Sequence, residues 1–219
     1  MSQRSKSPAP RPPPRIYLVT PELAEAAEIE SILTELLRAA DVAAVLLRLA
    51  EADERSLINR IKKLAPIVQS SGAALLLDGY ADLVARGGAD GAHLTGAAAF
   101  ASALERLKPE RIVGIGGLTT RHDAMSSAEK GADYVMFGEP DREGKRPSFS
   151  AIEERIAWWA ELFEVPCIGY AASLEEIAPL VAAGADFVAM GDFPWIRPEA
   201  AAEVISKAAA LLRLPETVA

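Results

Sequence analysis

The stretch of residues 166–191, "PCIGYAASLEEIAPLVAAGADFVAMG", decides the fold because it contains one complete strand–helix–strand unit. An apolar run comes first, and a turn, a helix-like segment, Gly-Ala-Asp and a second apolar run follow it. The same order recurs in "ALLLDGYADLVARGGADGAHL" and "RIVGIGGLTTRHDAMSSAEKGADYVMFG". Short apolar runs that alternate with helical patterns predict βα units and a parallel sheet.

Extending this pattern along the chain gives eight candidate strands, near residues 16–19, 42–48, 74–78, 90–94, 111–115, 133–137, 166–170 and 186–190. Eight βα units in 219 residues predict a single (β/α)8 TIM barrel. A doubly wound open sheet is the alternative, because it also reads as alternating strands and helices. We place the barrel at residues 15–219 and predict a disordered tail in the basic, proline-rich residues 1–14.

Composition restricts the partners of this chain. The formal net charge is −8, and an acidic body argues against nucleic-acid binding, which needs clustered Lys and Arg. No apolar run is long enough to predict a membrane span, and the N-terminus lacks the apolar core of a secretory signal. The single cysteine, Cys167, fits a cytoplasmic protein, and its apolar neighbours predict a buried strand residue.

The repeated aspartates are predicted to be structural. Asp90, Asp133 and Asp186 each lie at the start of a predicted strand. In a barrel this is the N-terminal face, opposite the usual active site. We therefore expect these residues to share a turn or capping role, and we seek the chemistry at the other ends of the strands.

The segment "GIGGLTTRHDA", residues 114–124, is the strongest local signal for an anion site. Gly116 and Gly117 allow an oxyanion to approach the backbone N–H groups, and Thr120 with Asp123 resembles a capping box. The unpaired N–H groups and the dipole of a helix start favour phosphate. A purely structural tight turn is the alternative.

Four other side chains each have two possible roles. Arg48 ends the second strand and either binds phosphate through its fork of donors or bridges to a barrel carboxylate. Asp78 ends the third strand and either contacts metal or substrate or caps a turn. His93, in the fourth strand, is either a hydrogen-bonded core residue or an acid or base. His122 either approaches the anion or is an ordinary exposed residue.

A long polar loop, "GEPDREGKRPSF", follows the sixth strand. Lys145 and Arg146 lie within it and either fold over a phosphate, as mobile barrel loops do, or belong to a solvated loop. We carry Lys145 forward as a candidate for the phosphate site.

The strand order, with "IYLVT", "GADYVMFG" and "AAGADFVAM", resembles the thiamine-phosphate synthase and thiazole tautomerase superfamily over roughly residues 15–195. The resemblance implies an enzyme that joins a pyrimidine methyl diphosphate to a thiazole phosphate and releases pyrophosphate. It also implies Mg²⁺, basic and hydroxyl groups around the departing diphosphate, and a homodimer.

Residue by residue, the resemblance is partial on the second and third strands. The family pattern Gln-x-Arg-x-Lys is represented by Leu46, Arg48 and Ala50, so the Arg is retained. The Asn-Asp pair after the third strand is represented by Leu77 and Asp78, which makes Asp78 the predicted metal ligand.

The later strands depart further from the family. Ala98 stands near the second metal Asp, and Gly116 stands at the usual Ser. Lys145 is displaced by one position from the diphosphate-binding Lys. Tyr170 begins the segment that replaces a phosphate-binding Gly-Gly-Ile. Leu118 stands where a tautomerase has its His.

Three functions follow from these observations. The leading one is a divergent synthase-like protein that binds or joins small phosphorylated pyrimidine and thiazole compounds. The second is a noncatalytic barrel that binds a phosphorylated metabolite or a protein partner, with the Pro-rich tail as one contact for a partner. The third is a thiazole tautomerase-like isomerase.

Overall fold

The computed structural model describes residues 12–213, which form a closed barrel of eight parallel strands in sequential order. The strands are Arg15–Leu23 (β1), Val42–Leu49 (β2), Ala74–Asp78 (β3), Gly91–Thr95 (β4), Ile112–Gly116 (β5), Tyr134–Phe137 (β6), Cys167–Ala171 (β7) and Phe187–Met190 (β8). Because β1 pairs with both β2 and β8, the sheet closes on itself. The predicted TIM barrel is confirmed, and the open-sheet alternative is wrong.

A helix follows each strand along the described chain. The helices are Glu30–Ala39 (α1), Glu54–Gln69 (α2), Val84–Gly87 (α3), Ala97–Leu107 (α4), Arg121–Glu129 (α5), Phe149–Leu162 (α6), Ile177–Ala182 (α7) and Ala201–Leu211 (α8). Most of the predicted tail, residues 1–11, lies outside the described residues, as do residues 214–219 of the predicted barrel domain.

The first strand is longer than its apolar run predicts. The sequence predicts residues 16–19, whereas β1 continues to Leu23. After a register shift, Glu22 and Leu23 pair with Arg48 and Leu49 of β2. Pairing with a neighbouring strand therefore extends β1 past Pro21, where the local sequence resembles a turn.

Alternation along the strands divides the apolar side chains into two layers. On β1, Ile16 and Leu18 belong to the core between the strands and the helices, whereas Tyr17 and Val19 belong to a separate cluster with Met136 of β6. Successive strand residues point to opposite faces, so the second cluster fills the barrel interior. The interior is therefore packed, and ligand chemistry is confined to its ends.

The three repeated aspartates tie neighbouring strands together at the N-terminal face. Each carboxylate accepts a hydrogen bond from a strand N–H: Asp90 from Leu75 at 2.7 Å, Asp133 from Val113 at 2.7 Å, and Asp186 from Cys167 at 2.9 Å. The N–H of each aspartate donates to the carbonyl of that same strand residue. The predicted structural role is confirmed, because these carboxylates satisfy backbone donors where the sheet begins.

Cys167 lies buried at the start of β7, as its apolar surroundings predict. Among residues 12–213, no helix combines the length and apolar character needed to cross a membrane.

Candidate active site

A pocket of about 430 Å³ opens at the C-terminal end of the barrel. Its lining comes from the end of β4, the β5–α5 turn, β6, the β6–α6 loop and α6: Thr95, Gly117, Leu118, Thr119, Met136, Phe137, Gly138, Glu139, Pro140, Asp141, Lys145, Arg146, Pro147 and Arg155. We call this cavity the mouth pocket. Of the site residues predicted from sequence, Gly117 and Lys145 line it.

Asp78 is the last residue of β3 and is half-buried. Burial raises the pKa of its carboxyl group, while the positive charges of Arg48 and Arg142 oppose that rise. The negative charge of Glu22 adds to it. The carboxylate is thus incompletely compensated by the protein, which is the condition that a bound cation would relieve.

Arg48, the predicted phosphate ligand on β2, already has protein partners. Its Nε donates to the carbonyl of Thr20, and its guanidinium forms an ion pair with Asp192 after β8. About a quarter of the side chain is exposed. The second interpretation from the sequence, a bridge to a barrel carboxylate, therefore describes this structure.

The Gly116–Gly117 turn holds a carboxylate of the protein itself. Gly117 adopts φ of +63°, a left-handed conformation that suits glycine, and its N–H donates to Glu139. A Cβ on Gly116 would collide with the same carboxylate and stand 2.7 Å from Nε2 of His93. The turn therefore contacts a carboxyl group of the protein itself, and phosphate binding there stays a prediction.

Glu139 follows β6, and the sequence alone does not identify it as a site residue. It is partly buried, it lines the mouth pocket, and burial raises the pKa of its carboxyl group to about 7. A titratable group with such a pKa in a cleft is typical of a functional site. The signal in the sequence was its position directly after a strand, beside Gly138.

His93 is buried within β4, and its reading as a hydrogen-bonded core residue fits the structure. Its Nδ1 lies 3.0 Å from the hydroxyl of Tyr134, which lies 2.8 Å from the hydroxyl of Tyr17. Burial lowers the pKa of His93 to about 4, so the imidazole is neutral at neutral pH. A histidine with its usual pKa can act as an acid or base near neutral pH, and burial takes this ability from His93.

Arg146 is a structural clamp. Its guanidinium donates to both carboxylate oxygens of Glu176, at 3.0 and 2.9 Å, and to the carbonyls of Gly138 and Tyr170, at 3.1 and 2.9 Å. Glu176 in turn accepts a bond from the N–H of Ala172 at 2.8 Å. The β6–α6 loop is thereby fixed to the turn after β7, where the resemblance places a phosphate-binding Gly-Gly-Ile that this chain replaces.

Tyr170 lies within β7 and not after it, and its side chain is buried among the interior residues. The Arg146 guanidinium lies 5.6 Å from the centre of its ring. Lys145, in contrast, has a largely exposed side chain paired with Glu143 at 2.6 Å. The exposed Lys145 can therefore exchange Glu143 for another anion, whereas Tyr170 is fixed among the buried residues of the barrel interior.

His122 lies in the first turn of α5, as predicted, but it is exposed and does not line the mouth pocket. The predicted cap is present: Oγ1 of Thr120 accepts a hydrogen bond from the N–H of Asp123 at 3.0 Å. The predicted helix start is thus correct, and a contact between His122 and a pocket ligand stays a prediction.

The three alanines at residues 97–99 form the exposed first turn of α4. They leave this turn without a carboxylate, and Gly96 provides no side-chain cap. Within residues 12–213, no group of three or more His, Cys, Asp or Glu side chains is arranged to hold a metal ion. Asp78 is therefore not part of such a three-ligand group among the described residues.

These features define a TIM-barrel protein whose ligand pocket lies at the C-terminal mouth, where barrel enzymes carry their active sites. Residues 16–192 match the family model for thiamine monophosphate synthase. The chain is 36% identical over 195 residues to the thiamine-phosphate synthase of Rhodospirillum centenum, an alignment that covers 88% of this chain and 94% of the relative. It therefore belongs to the thiamine monophosphate synthase family.

Two further comparisons agree with this assignment. The thiamine-phosphate synthase of Hyphomonas neptunium is 33% identical over 197 residues, which cover 85% of this chain and 88% of that protein. A solved thiamine phosphate pyrophosphorylase from Pyrococcus furiosus superposes with a TM-score of 0.74 at 16% identity, over 90% of this chain and 95% of that one. At this identity the superposition speaks for the barrel fold alone.

Proposed function

We propose that the protein joins a pyrimidine methyl diphosphate to a thiazole phosphate at this mouth and releases pyrophosphate. The mouth pocket carries the proposal, because it combines the backbone of residues 117–119 with the cations Lys145, Arg146 and Arg155 in one cavity. Its volume of about 430 Å³ lies in the range of small-molecule sites, about 300–1,000 Å³. Membership of the synthase family supports the choice of reaction.

The cations of the pocket differ in how freely they can meet a ligand. The Lys145 ammonium pairs with the exposed carboxylate of Glu143, so a phosphate can replace that carboxylate at small cost. Arg155 donates to the carbonyls of Leu118 and Thr119, at 2.7 and 3.3 Å, and so holds the turn in place. We assign Lys145 to direct charge stabilisation and Arg155 to positioning of the phosphate turn.

Mg²⁺ is part of this proposal. Proteins hold Mg²⁺ through one or two carboxylates together with water and substrate phosphates, and a single desolvated carboxylate at Asp78 fits that arrangement. A cage made entirely of protein ligands does not fit these residues. When bound, the ion would neutralise charge on the diphosphate as it departs.

The test combines the purified protein with pyrimidine methyl diphosphate, thiazole phosphate and Mg²⁺ and measures thiamine phosphate by chromatography. We expect product that grows with enzyme concentration, and Asp78→Asn should lower its rate at least about 100-fold, as loss of a preorganised charge does. Glu161→Gln is the matched control, because this exposed α6 residue lies outside the mouth pocket. Absence of product from folded wild-type protein would rule out the reaction.

A noncatalytic binding role is the second candidate, and one observation favours it. Side-chain carboxylates of Glu139 and Glu176 already occupy the N–H groups of Gly117 and Ala172, at two turns where the resemblance predicts phosphate. Titration with phosphate, pyrophosphate and the two precursors separates the candidates. Binding without turnover would select this role, and turnover would exclude it.

The tautomerase alternative has less support. Leu118, at the position of the tautomerase His, is buried and has no ionisable group, and His122 is exposed outside the pocket. A cytoplasmic location, a homodimer and a partner for the Pro-rich tail stay predictions. Size-exclusion chromatography with light scattering tests the dimer, which we propose from the family resemblance.

A further inference from the structure

Glu139 lies beside a backbone N–H group that could donate a hydrogen bond to an anion in the mouth pocket. Its side chain lines the mouth pocket, and its carboxylate accepts a hydrogen bond from the N–H of Gly117. A phosphorylated ligand on the same turn would bring a second negative charge beside this carboxylate. Adjacent anions disfavour each other's ionised form, so ligand entry favours a protonated Glu139.

The surroundings of Glu139 are shaped for a carboxyl group that exchanges protons. Gly116 leaves the space in which the carboxylate lies, and Nε2 of His93 borders the same space. Nδ1 of His93 is hydrogen-bonded to the hydroxyl of Tyr134, and this hydroxyl is hydrogen-bonded to that of Tyr17. Glu139 therefore lies in the mouth pocket beside the buried polar groups of His93, Tyr134 and Tyr17.

The charges around Glu139 do not hold it in the ionised form. Burial raises the pKa of this carboxyl group most, and the negative charge of Asp78 adds to the rise. The backbone N–H groups of Gly117 and Glu139 and the positive charge of Arg155 oppose it, but burial outweighs them. The result is a pKa of about 7, whereas His93 beside it is neutral. The titratable and charged groups that act on Glu139 or share its pocket are Asp78, His93, Tyr17, Tyr134, Tyr170, Arg155, Asp141, Lys145 and Arg146.

We propose that Glu139 is a catalytic residue that binds a proton when a phosphorylated ligand enters the mouth and gives this proton to the departing diphosphate. The catalytic half of this proposal rests on the proposed synthase function. The bond between the pyrimidine methylene and the diphosphate oxygen breaks, and that oxygen keeps the electron pair and takes the proton. The thiazole nitrogen supplies the pair for the new C–N bond, and the Glu139 carboxylate recovers a proton from water afterwards.

The first experiment measures binding and needs no turnover. Inorganic pyrophosphate is titrated into wild-type protein and Glu139→Gln by calorimetry, at about pH 8, in two buffers of different ionisation enthalpy. Because the titration of pyrophosphate itself is common to both proteins, the difference in proton uptake reports Glu139. We expect wild-type protein to take up about one proton more than the variant, since an ionised carboxylate must be neutralised.

The pH dependence of the affinity for pyrophosphate is a second measurement of the same proton uptake. Relative to Glu139→Gln, the wild-type affinity for pyrophosphate should be constant below about pH 7. It should then fall about tenfold for each pH unit above it, because one proton is bound with the ligand. Glu161→Gln should behave as wild type, and melting temperatures verify that each variant is folded.

Each result decides between the alternatives. Equal proton uptake by wild type and Glu139→Gln, or no binding of pyrophosphate by either at millimolar concentration, would overturn the proton site. Extra uptake by wild type without any thiamine phosphate would support the proton site and reject the proposed reaction. If thiamine phosphate forms, Glu139→Gln should lower kcat by about 10²–10⁴-fold, as loss of a general acid does. An unchanged kcat would overturn the catalytic half.

Discussion

Replacing Glu139 by Gln should change how the stability of the folded chain depends on pH. Burial raises the pKa of this carboxyl group from 4.5 to about 7, so the native state binds its proton more tightly than the unfolded state does. The contribution of Glu139 to the free energy of unfolding therefore falls as pH rises from about 4.5 to about 7 and is level above that range. At about 1.4 kcal/mol for each pH unit, this difference corresponds to a loss of up to about 3 kcal/mol.

Glutamine cannot ionise and has nearly the same shape, so Glu139→Gln should lack this loss. Urea unfolding, followed by circular dichroism at about pH 5 and about pH 8, measures the free energy of unfolding for both proteins. The stability of the variant relative to wild type should rise by about 2–3 kcal/mol between the two pH values. Glu161→Gln, at an exposed position on α6, should show no such rise. A constant difference between Glu139→Gln and wild type would refute the desolvation of this carboxyl group.

Three other substitutions test separate parts of the structure. Gly116→Ala places a Cβ against the Glu139 carboxylate, so it should lower the free energy of unfolding in urea by about 1–3 kcal/mol and weaken pyrophosphate binding. Stability and binding equal to wild type would mean that the turn has room for the Cβ. Asp133→Asn loses a charge-assisted hydrogen bond at the N-terminal face of the barrel, so it should lower the free energy of unfolding by about 1–3 kcal/mol and leave the affinity for pyrophosphate unchanged. Weakened pyrophosphate binding would contradict the structural role of Asp133. Glu176→Gln should loosen the β6–α6 loop, detected as faster proteolysis within residues 138–147. Equal cleavage rates would mean that the bonds from Arg146 to the Gly138 and Tyr170 carbonyls hold the loop without the ion pair.

The barrel could be predicted from the sequence because its signals are local. Each strand is a short apolar run, and the repeated Asp before three of them marks the turn that starts a strand. The extension of β1 to Leu23 could not be predicted, because it depends on pairing with Arg48 and Leu49 of β2. Local patterns locate elements, but sheet pairing sets how far they continue.

The site could be predicted only in part, because closure of the barrel decides its contacts. Arg48 and Asp192 are 144 residues apart, and they meet at the rim only because β8 returns beside β1. The sequence predicts phosphate at the Gly116–Gly117 turn, which stays a prediction, whereas the carboxyl group that contacts the Gly117 N–H belongs to Glu139 of the next βα unit. Sequence spacing carries no signal for which of several carboxylates fills a turn.

The most direct test of the synthase proposal is a time course of both products from pyrimidine methyl diphosphate and thiazole phosphate with Mg²⁺. We expect wild-type protein to release thiamine phosphate and pyrophosphate in equal amounts, with a rate that Asp78→Asn nearly abolishes and Glu161→Gln leaves unchanged. A folded wild-type protein that binds pyrophosphate but forms no thiamine phosphate would contradict the proposal and identify the barrel as a binding protein.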